Sequence, residues 1–378
     1  MEKDFEPSVA DHSDMYIGCF ERYGWDQIKY LVNSLDRSGF TGRKVMIVLG
    51  ADKATLEKLA SKGWKAVPFG KRDAREQVDL PVHVLRFFYI SYLLERLPEN
   101  QKPDYVITTD VRDVIFQKDP FAALRNYVRS HPSLVLIASS ESMRYRDEPW
   151  GNQNLLETFG SFVYEKYKNC EIYNVGVLAG TLQAIQELSQ TIFELSISRE
   201  KKIVDQAVFN FIVHQKTFSS NILKLPSEAG WAAQLGTTAD PEKKTSFAPF
   251  LMEPAPIMKQ AGQDHKVFTS DGSTEFFIVH QYDRIPEWKQ LLEAQYDDKC
   301  GMGPDHIIEV RAGATSPCNN ILGPCEGTLL LPNLSNRARS GENAFCRVAT
   351  SALLKARAIF PARVLAAIRR ASNALRCF

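Results

Sequence analysis

The chain has 378 residues, 44% of them hydrophobic and 24% charged, a balance ordinary for a folded soluble protein and unlike that of a disordered chain. Its 46 basic and 45 acidic residues leave a net charge of +1, so no global field calls for nucleic acid. The length allows one large domain with an appendage, and no run reaches the ~18 apolar residues expected of a membrane-spanning helix.

The first residues, M-E-K-D-F-E-P-S-V-A-D-H, are polar and show no signal-peptide core, so a cytoplasmic location is the expectation. Tyr16 to Phe20 reads as a first strand, and Asp26 to Leu35 as a helix with Ile28, Leu31, Val32 and Leu35 on one face. Lys44 to Leu49 is apolar throughout, as in strands buried on both faces of a parallel sheet. A short helix follows at Thr55 to Ser61, a strand at Trp64 to Phe69, and a long helix at Val82 to Leu97, stopped by Pro98. Strands and helices alternating at this spacing predict βαβ units and an α/β fold with a mostly parallel, Rossmann-like sheet flanked by helices.

Tyr105 to Phe121 reads Y-V-I-T-T-D-V-R-D-V-I-F-Q-K-D-P-F: a buried strand running into Asp110 and Asp113, then a short apolar run and a turn. Open α/β sheets bind ligands at the C-terminal ends of their strands. Two carboxylates there suit a hard divalent cation carrying a diphosphate. Leu134 to Ala138 is a further strand, and residues 139–154, polar and aromatic without clear period, read as a functional loop. A strand at Tyr173 to Ala179 and helices at Leu182 to Leu195 and Val204 to His214 come next. Residues 236–266 read as an excursion or lid, and Val267 to Val279 as a hairpin turning at Asp271-Gly272.

The seven cysteines are scattered, with no C-x-x-C, and are expected to be reduced thiols. Residues 14–295 are expected to form one domain, 296–345 an irregular linker and 346–378 a basic helical tail. From Asn336 onward there are nine basic residues against the single acid Glu342. Val364, Leu365, Ile368, Ala371 and Leu375 form an apolar stripe in that tail, with the arginines largely off it. Such a helix can lie on an anionic membrane surface as a peripheral anchor, or pack on an acidic body.

The order of these segments resembles that of GT-A fold, nucleotide-sugar-dependent glycosyltransferases, closest to the retaining galactosyl- and glucosyltransferases related to glycogenin. In that family a strand ends in D-x-D, and both aspartates engage metal and nucleotide. A later strand reads N-x-G-V-L, here Asn174-Val175-Gly176-Val177-Leu178, and a helix opens in D-Q, here Asp205-Gln206. Near the end a strand delivers a histidine, here His280, a few residues before a tryptophan, here Trp288. The resemblance covers about Tyr16 to Trp288 and implies a hexosyltransferase using a UDP-sugar, a saccharide or glycolipid acceptor, and no nucleic-acid partner.

It also implies Asp110, Asp113 and His280 as ligands of Mn2+ or Mg2+; two carboxylates plus an imidazole suit Mn2+ better. One departure stands out. This chain has D-x-R-D, and residues three apart on a strand do not share a face, so the chain must turn for both carboxylates to converge. Otherwise one carboxylate binds the metal and the other contacts ribose or pairs with Arg112, which can itself neutralise a phosphate or bridge to a neighbouring acid. Asp110, Arg112, Arg86 and Phe20 are the candidates for holding the nucleotide; Phe20 and Tyr23 could equally be core. Asp205, Gln206 and Asn174 are the candidates for the sugar-proximal, catalytic face, with helix N-capping the alternative for Asp205. Trp150, Asp147 and Glu148 are candidates for the acceptor side, where an aromatic face can stack on a sugar and an inverting enzyme would keep its base. The resemblance leans to retention. Competing readings are a sugar-phosphate nucleotidyltransferase, which needs a Gly-rich basic loop where Glu21-Arg22-Tyr23-Gly24-Trp25 stands, a metal-dependent nuclease, which needs a basic groove, and a non-catalytic nucleotide-sugar-binding protein.

Overall fold

A computed structural model describes residues 14–69, 80–131, 133, 135–215 and 221–298. The first half follows the predicted alternation: β1 (Asp14–Glu21), α1 (Trp25–Arg37), β2 (Arg43–Leu49), α2 (Lys53–Ser61), β3 (Lys65–Phe69), α3 (Val82–Glu95), β4 (Tyr105–Thr109), β5 (Val114–Phe116) and α4 (Pro120–Ser130). Then come β6 (Leu136–Arg144), α5 (Pro149–Tyr167), β7 (Glu171–Thr181), α6 (Leu182–Ser196), α7 (Asp205–Val213) and β8 (Ile222–Leu225). The described chain closes with β9 (Ala232–Gln234), α8 (Leu235–Thr238), α9 (Pro241–Phe247), β10 (Ile257–Ala261), β11 (Asp264–Phe268), β12 (Ile278–His280) and α10 (Pro286–Tyr296).

The main sheet has the order β3-β2-β1-β4-β7-β6-β8. It is parallel at four of its junctions, and β7 alone runs antiparallel to both of its neighbours. Side chains on a strand alternate between faces, and both faces here are covered. Met15, Ile17 and Cys19 of β1 join a core with α3, α6 and α7. Tyr16 and Phe20 of the same strand join the opposite core with α1, α2 and α4. Caps fix the helix starts: the Asp52 carboxylate accepts from the Thr55 amide at 2.7 Å, and Asp119 precedes Pro120 at the first turn of α4. This is the mixed α/β, mostly parallel architecture that the sequence predicts.

A second sheet of three short strands, β5-β12-β9, sits beside it and matters more for function. Its central strand β12 pairs antiparallel with β5, setting His280 opposite Val114, and parallel with β9, setting His280 opposite Gln234.

Three expectations are corrected. Residues 139–154 are not a loop: β6 continues to Arg144, and α5 starts at Pro149 with Glu148 as its N-cap. The strand was hidden because Ser139, Ser140, Glu141 and Ser142 are all buried, so polarity does not mark exposure here. The stretch 236–266 is no plain excursion either, since it holds α8, α9 and most of the β10–β11 hairpin. The turn at Asp271-Gly272 exists, with Gly272 at a φ of 72°, but it closes a single bridge between Phe268 and Glu275, and β12 pairs elsewhere. The expected linker beyond Asp298 and the basic tail lie outside the described residues. Cys19 and Cys170 are free thiols; the other five cysteines also lie outside. Among the described residues, no helix is long and apolar enough to cross a membrane.

His214, at the C-cap of α7, packs near the Tyr167 and Tyr173 rings and donates from Nε2 to the Glu171 carbonyl at 2.7 Å. Burial, helped by Lys224, pushes its imidazole down to about 4, against the opposite pull of that hydrogen bond. An unfolded histidine titrates near pH ~6.5, so between there and about 4 the unfolded chain binds the proton that the folded chain refuses. Stability contributed by this site is therefore complete above that window and lost as the pH falls through it. Urea midpoints of wild type and His214→Gln should diverge at neutral pH and converge in mild acid. Parallel pH dependences in the two proteins would contradict the account.

Candidate functional site

The chain breaks its strand geometry after Thr109. Asp110 to Asp113 bend between β4 and β5, and this turn brings both carboxylates to the same side despite their three-residue spacing. Two backbone bonds hold the turn: the Asp110 amide donates to the Gly176 carbonyl at 2.8 Å, and the Gln281 amide to the Asp113 carbonyl at 2.7 Å. The second bond ties the turn to the end of β12. Asp110, Asp113 and His280 thereby converge, with one ligand atom from each lying within 4.8 Å of the others. His280 Nε2 is 3.4 Å from Asp110 Oδ2 and 3.8 Å from Asp113 Oδ1.

The tautomer of His280 follows from its neighbour. Nδ1 is 2.7 Å from the Gln234 carboxamide oxygen, an acceptor, so with the carboxamide in this orientation Nδ1 carries the proton. That leaves a lone pair on Nε2, aimed at the two carboxylates. Nε2 is buried without a hydrogen-bond partner. Burial holds the imidazole below its usual range, against the upward pull of Asp113 and Glu141, so the neutral ligand form is favoured. A neighbouring acceptor that fixes the tautomer by bonding the other ring nitrogen is characteristic of metal-ligating histidine. An orphaned imidazole nitrogen facing two carboxylates fits a divalent cation.

Gly176 forms the floor of this space. A Cβ there would stand 2.5 Å from His280 Cε1 and 2.8 Å from both Asp110 Oδ2 and Asn174 Oδ1. Any side chain at 176 fills the site.

Arg86 reaches the cluster from α3. It is buried, forms a close ion pair with Asp110 Oδ1, and places Nη2 at 3.1 Å from Asp205 Oδ2. Asp205 is thus bound to Arg86; it is the first residue of α7, whose N-cap is Val204, so the capping alternative fails. Arg112 is half-exposed, 3.4 Å from Asp283 Oδ2 and 4.0 Å from Asp113 Oδ2. Phe20 is 1% exposed and belongs to the core, which leaves it no face for a base; Tyr23 stacks on it at 5.9 Å.

Asn174 and Gln206 are both in place and both already engaged. Asn174 Oδ1 accepts from the Gly176 amide at 2.6 Å, and Gln206 Oε1 from the Val175 amide at 2.8 Å. Their amide nitrogens donate to one oxygen, Glu141 Oε1, at 2.7 and 2.6 Å. Sequence reading missed Glu141 because it lay inside the supposed loop. Register shifts in the β6–β7 pairing on both sides of Ser139-Ser140, with Ser142 at a φ of 56°, break the ladder around this residue. Burial first, then the nearby Glu148, pushes the Glu141 carboxyl up to about 7, against the hydrogen bonds from Asn174 and Gln206.

The three acceptor candidates part company. Glu148 is buried, and its carboxylate accepts from the Trp150 and Gly151 amides as the α5 cap. Asp147 lines a cleft of about 390 Å3 with Arg144, Arg146, Phe250 and Met252. Trp150 is 52% exposed on the first turn of α5.

No family model and no curated protein sequence matches the chain. Many solved structures match it in part, among them two apo enzymes. The apo WbbM bifunctional glycosyltransferase is 12% identical, over 73% of this chain and 46% of its own, with a TM-score of 0.47. Apo mouse xyloside xylosyltransferase 1 is 16% identical, over 71% of this chain and 97% of its own, with a TM-score of 0.38. Both are glycosyltransferases, and the chain spans about half the length of the first. At these values the functional argument rests on the site itself.

Proposed function

We propose that the protein is a metal-dependent glycosyltransferase that moves a hexose from a UDP-sugar to a saccharide or glycolipid acceptor. The observation that carries this reading is the convergence of Asp110, Asp113 and His280, with His280 Nε2 buried, deprotonated and unpaired. Carboxylates and imidazole together suit Mn2+, with Mg2+ the second choice. A divalent cation held there supplies Lewis-acid stabilisation of the charge that develops on a departing nucleoside diphosphate. The protein's own residues do the rest. Arg86 holds Asp110 and Asp205 in place, and Arg112 stands at the rim of the cluster with a guanidinium that can meet phosphate. Asn174 and Gln206 shape the strand end on the sugar side, and the cleft lined by Asp147 is the acceptor face. The basic tail remains the candidate for an anionic membrane surface.

The test is UDP binding by calorimetry with and without Mn2+, on wild type and Asp113→Ala. Mn2+-dependent binding that weakens at least about tenfold in the variant, or ~1.4 kcal/mol, is expected. Wild type that ignores UDP under every metal condition overturns the reading. Tight UDP binding without transfer to any acceptor would favour the non-catalytic alternative.

A further inference from the structure

Glu141 is a buried acid beside the cluster that, among the described residues, pairs with no cation and caps no helix. Its place follows from three contacts. Asn174 Oδ1 lies against the same spot above Gly176 as Asp110 Oδ2 and His280 Cε1, so the Asn174 carboxamide borders the metal cluster. Glu141 Oε1 is one hydrogen bond further on, 2.7 Å from Asn174 Nδ2. That places Glu141 one side chain away from the cluster, on the side of Asn174.

The two oxygens of Glu141 are not equivalent. Oε1 takes both amide donors, and this clamps Asn174 and Gln206 with their outer atoms turned to the backbone. No donor among the described residues reaches Oε2, and 7% of the residue's surface stays open. The main chain at this position is fixed from behind, where Thr237 Oγ1 donates to the Glu141 carbonyl at 3.0 Å. The charged and titratable groups that act on it are Glu148, Tyr145 and His280. None of them is a fixed cation, and the buried cation Arg86 is held by Asp110 and Asp205.

We propose that Glu141 is a specificity-determining residue that restricts the donor to a neutral, hydroxyl-bearing sugar and excludes uronic acids. The inference rests on the glycosyltransferase reading above. An oxygen that lacks a donor accepts a sugar hydroxyl as well as it accepts water, so a neutral sugar gains a charge-assisted bond. A sugar carboxylate in the same space meets the buried Glu141 carboxylate, with the charge of Glu148 adding to the repulsion, in a region of low dielectric.

The experiment compares UDP-glucose with UDP-glucuronate, and UDP-galactose with UDP-galacturonate, by competition against Mn2+–UDP near pH ~8, where Glu141 is mostly ionised. Wild type should bind the better neutral donor at least about tenfold tighter than its uronate. Glu141→Gln should shrink that ratio several-fold, and Glu141→Asp, which keeps the charge, should largely restore it. Using the ratio within each variant removes any general loss of affinity, and a melting curve on each reports folding. Equal affinity of wild type for sugar and uronate overturns the inference and leaves the glycosyltransferase reading standing, as does an unchanged ratio in Glu141→Gln. Absence of UDP binding by wild type overturns both.

Discussion

Arg86→Ala is expected to destabilise the protein by about 3–5 kcal/mol, the loss seen when one partner of a buried ion pair is removed and its counter-charges stay behind. Arg86 is the buried cation between Asp110 and Asp205, and the Asp205 side chain is itself almost wholly enclosed. Arg86→Lys should recover only part of the loss, because one ammonium cannot span two carboxylates as a planar fork does. Asp205→Asn in the Arg86→Ala background should also recover part, since it removes one of the stranded charges. Urea denaturation of the four proteins measures all three effects. Mn2+ adds a further readout: with Asp110 released, it should raise the midpoint of Arg86→Ala more than that of wild type. A loss below about 1 kcal/mol would mean that water already reaches the pair, and that Arg86 is an ordinary surface charge.

What the sequence makes legible here is local. The apolar runs of β2 and β4, the amphipathic face of α1 and the terminators at Gly39 and Pro98 each follow from a few neighbouring residues, and these elements stand within a few residues of where the pattern places them. The two acids after β4 were legible for the same reason. Their convergence was not. It depends on a turn whose bonds go to Gly176 and Gln281, far away in the chain. The β5-β12-β9 sheet was invisible because strands of three residues have no measurable period. With it went Gln234, the residue that sets the His280 tautomer. Glu141 was hidden by a sounder rule misapplied: polar runs are usually exposed, but this one is buried because Asn174, Gln206 and Glu171 satisfy it from neighbouring elements. Asn174 and Gln206 were legible as types, yet their atoms are spent on the backbone and Glu141, which turns two nominated substrate contacts into parts that hold the site in shape.

Gly176→Ala should weaken metal-dependent UDP binding at least about tenfold while leaving the protein folded. Gly176 lies in β7 beside Val177, which pairs with Thr109 of β4, so on that side the backbone is held against moving aside to seat a methyl group. Its carbonyl also holds the Asp110 amide. The added Cβ must therefore displace His280, Asp110 or Asn174, whose atoms it would meet at 2.5–2.8 Å. Overpacking of this kind typically costs about 1–3 kcal/mol, a loss a domain of this size can absorb. The effect on ligand geometry is larger in consequence, because displacing one of three ligands by about an ångström disrupts a set that must converge on a single ion. Mn2+ titration followed by electron paramagnetic resonance, with a thermal melt of the same sample, separates the two effects. A folded variant with Mn2+ and UDP affinity weakened at least about tenfold is the expected result. A folded variant that binds Mn2+ and UDP as wild type does would place the cation away from Asp110 and His280, and with it the whole donor site.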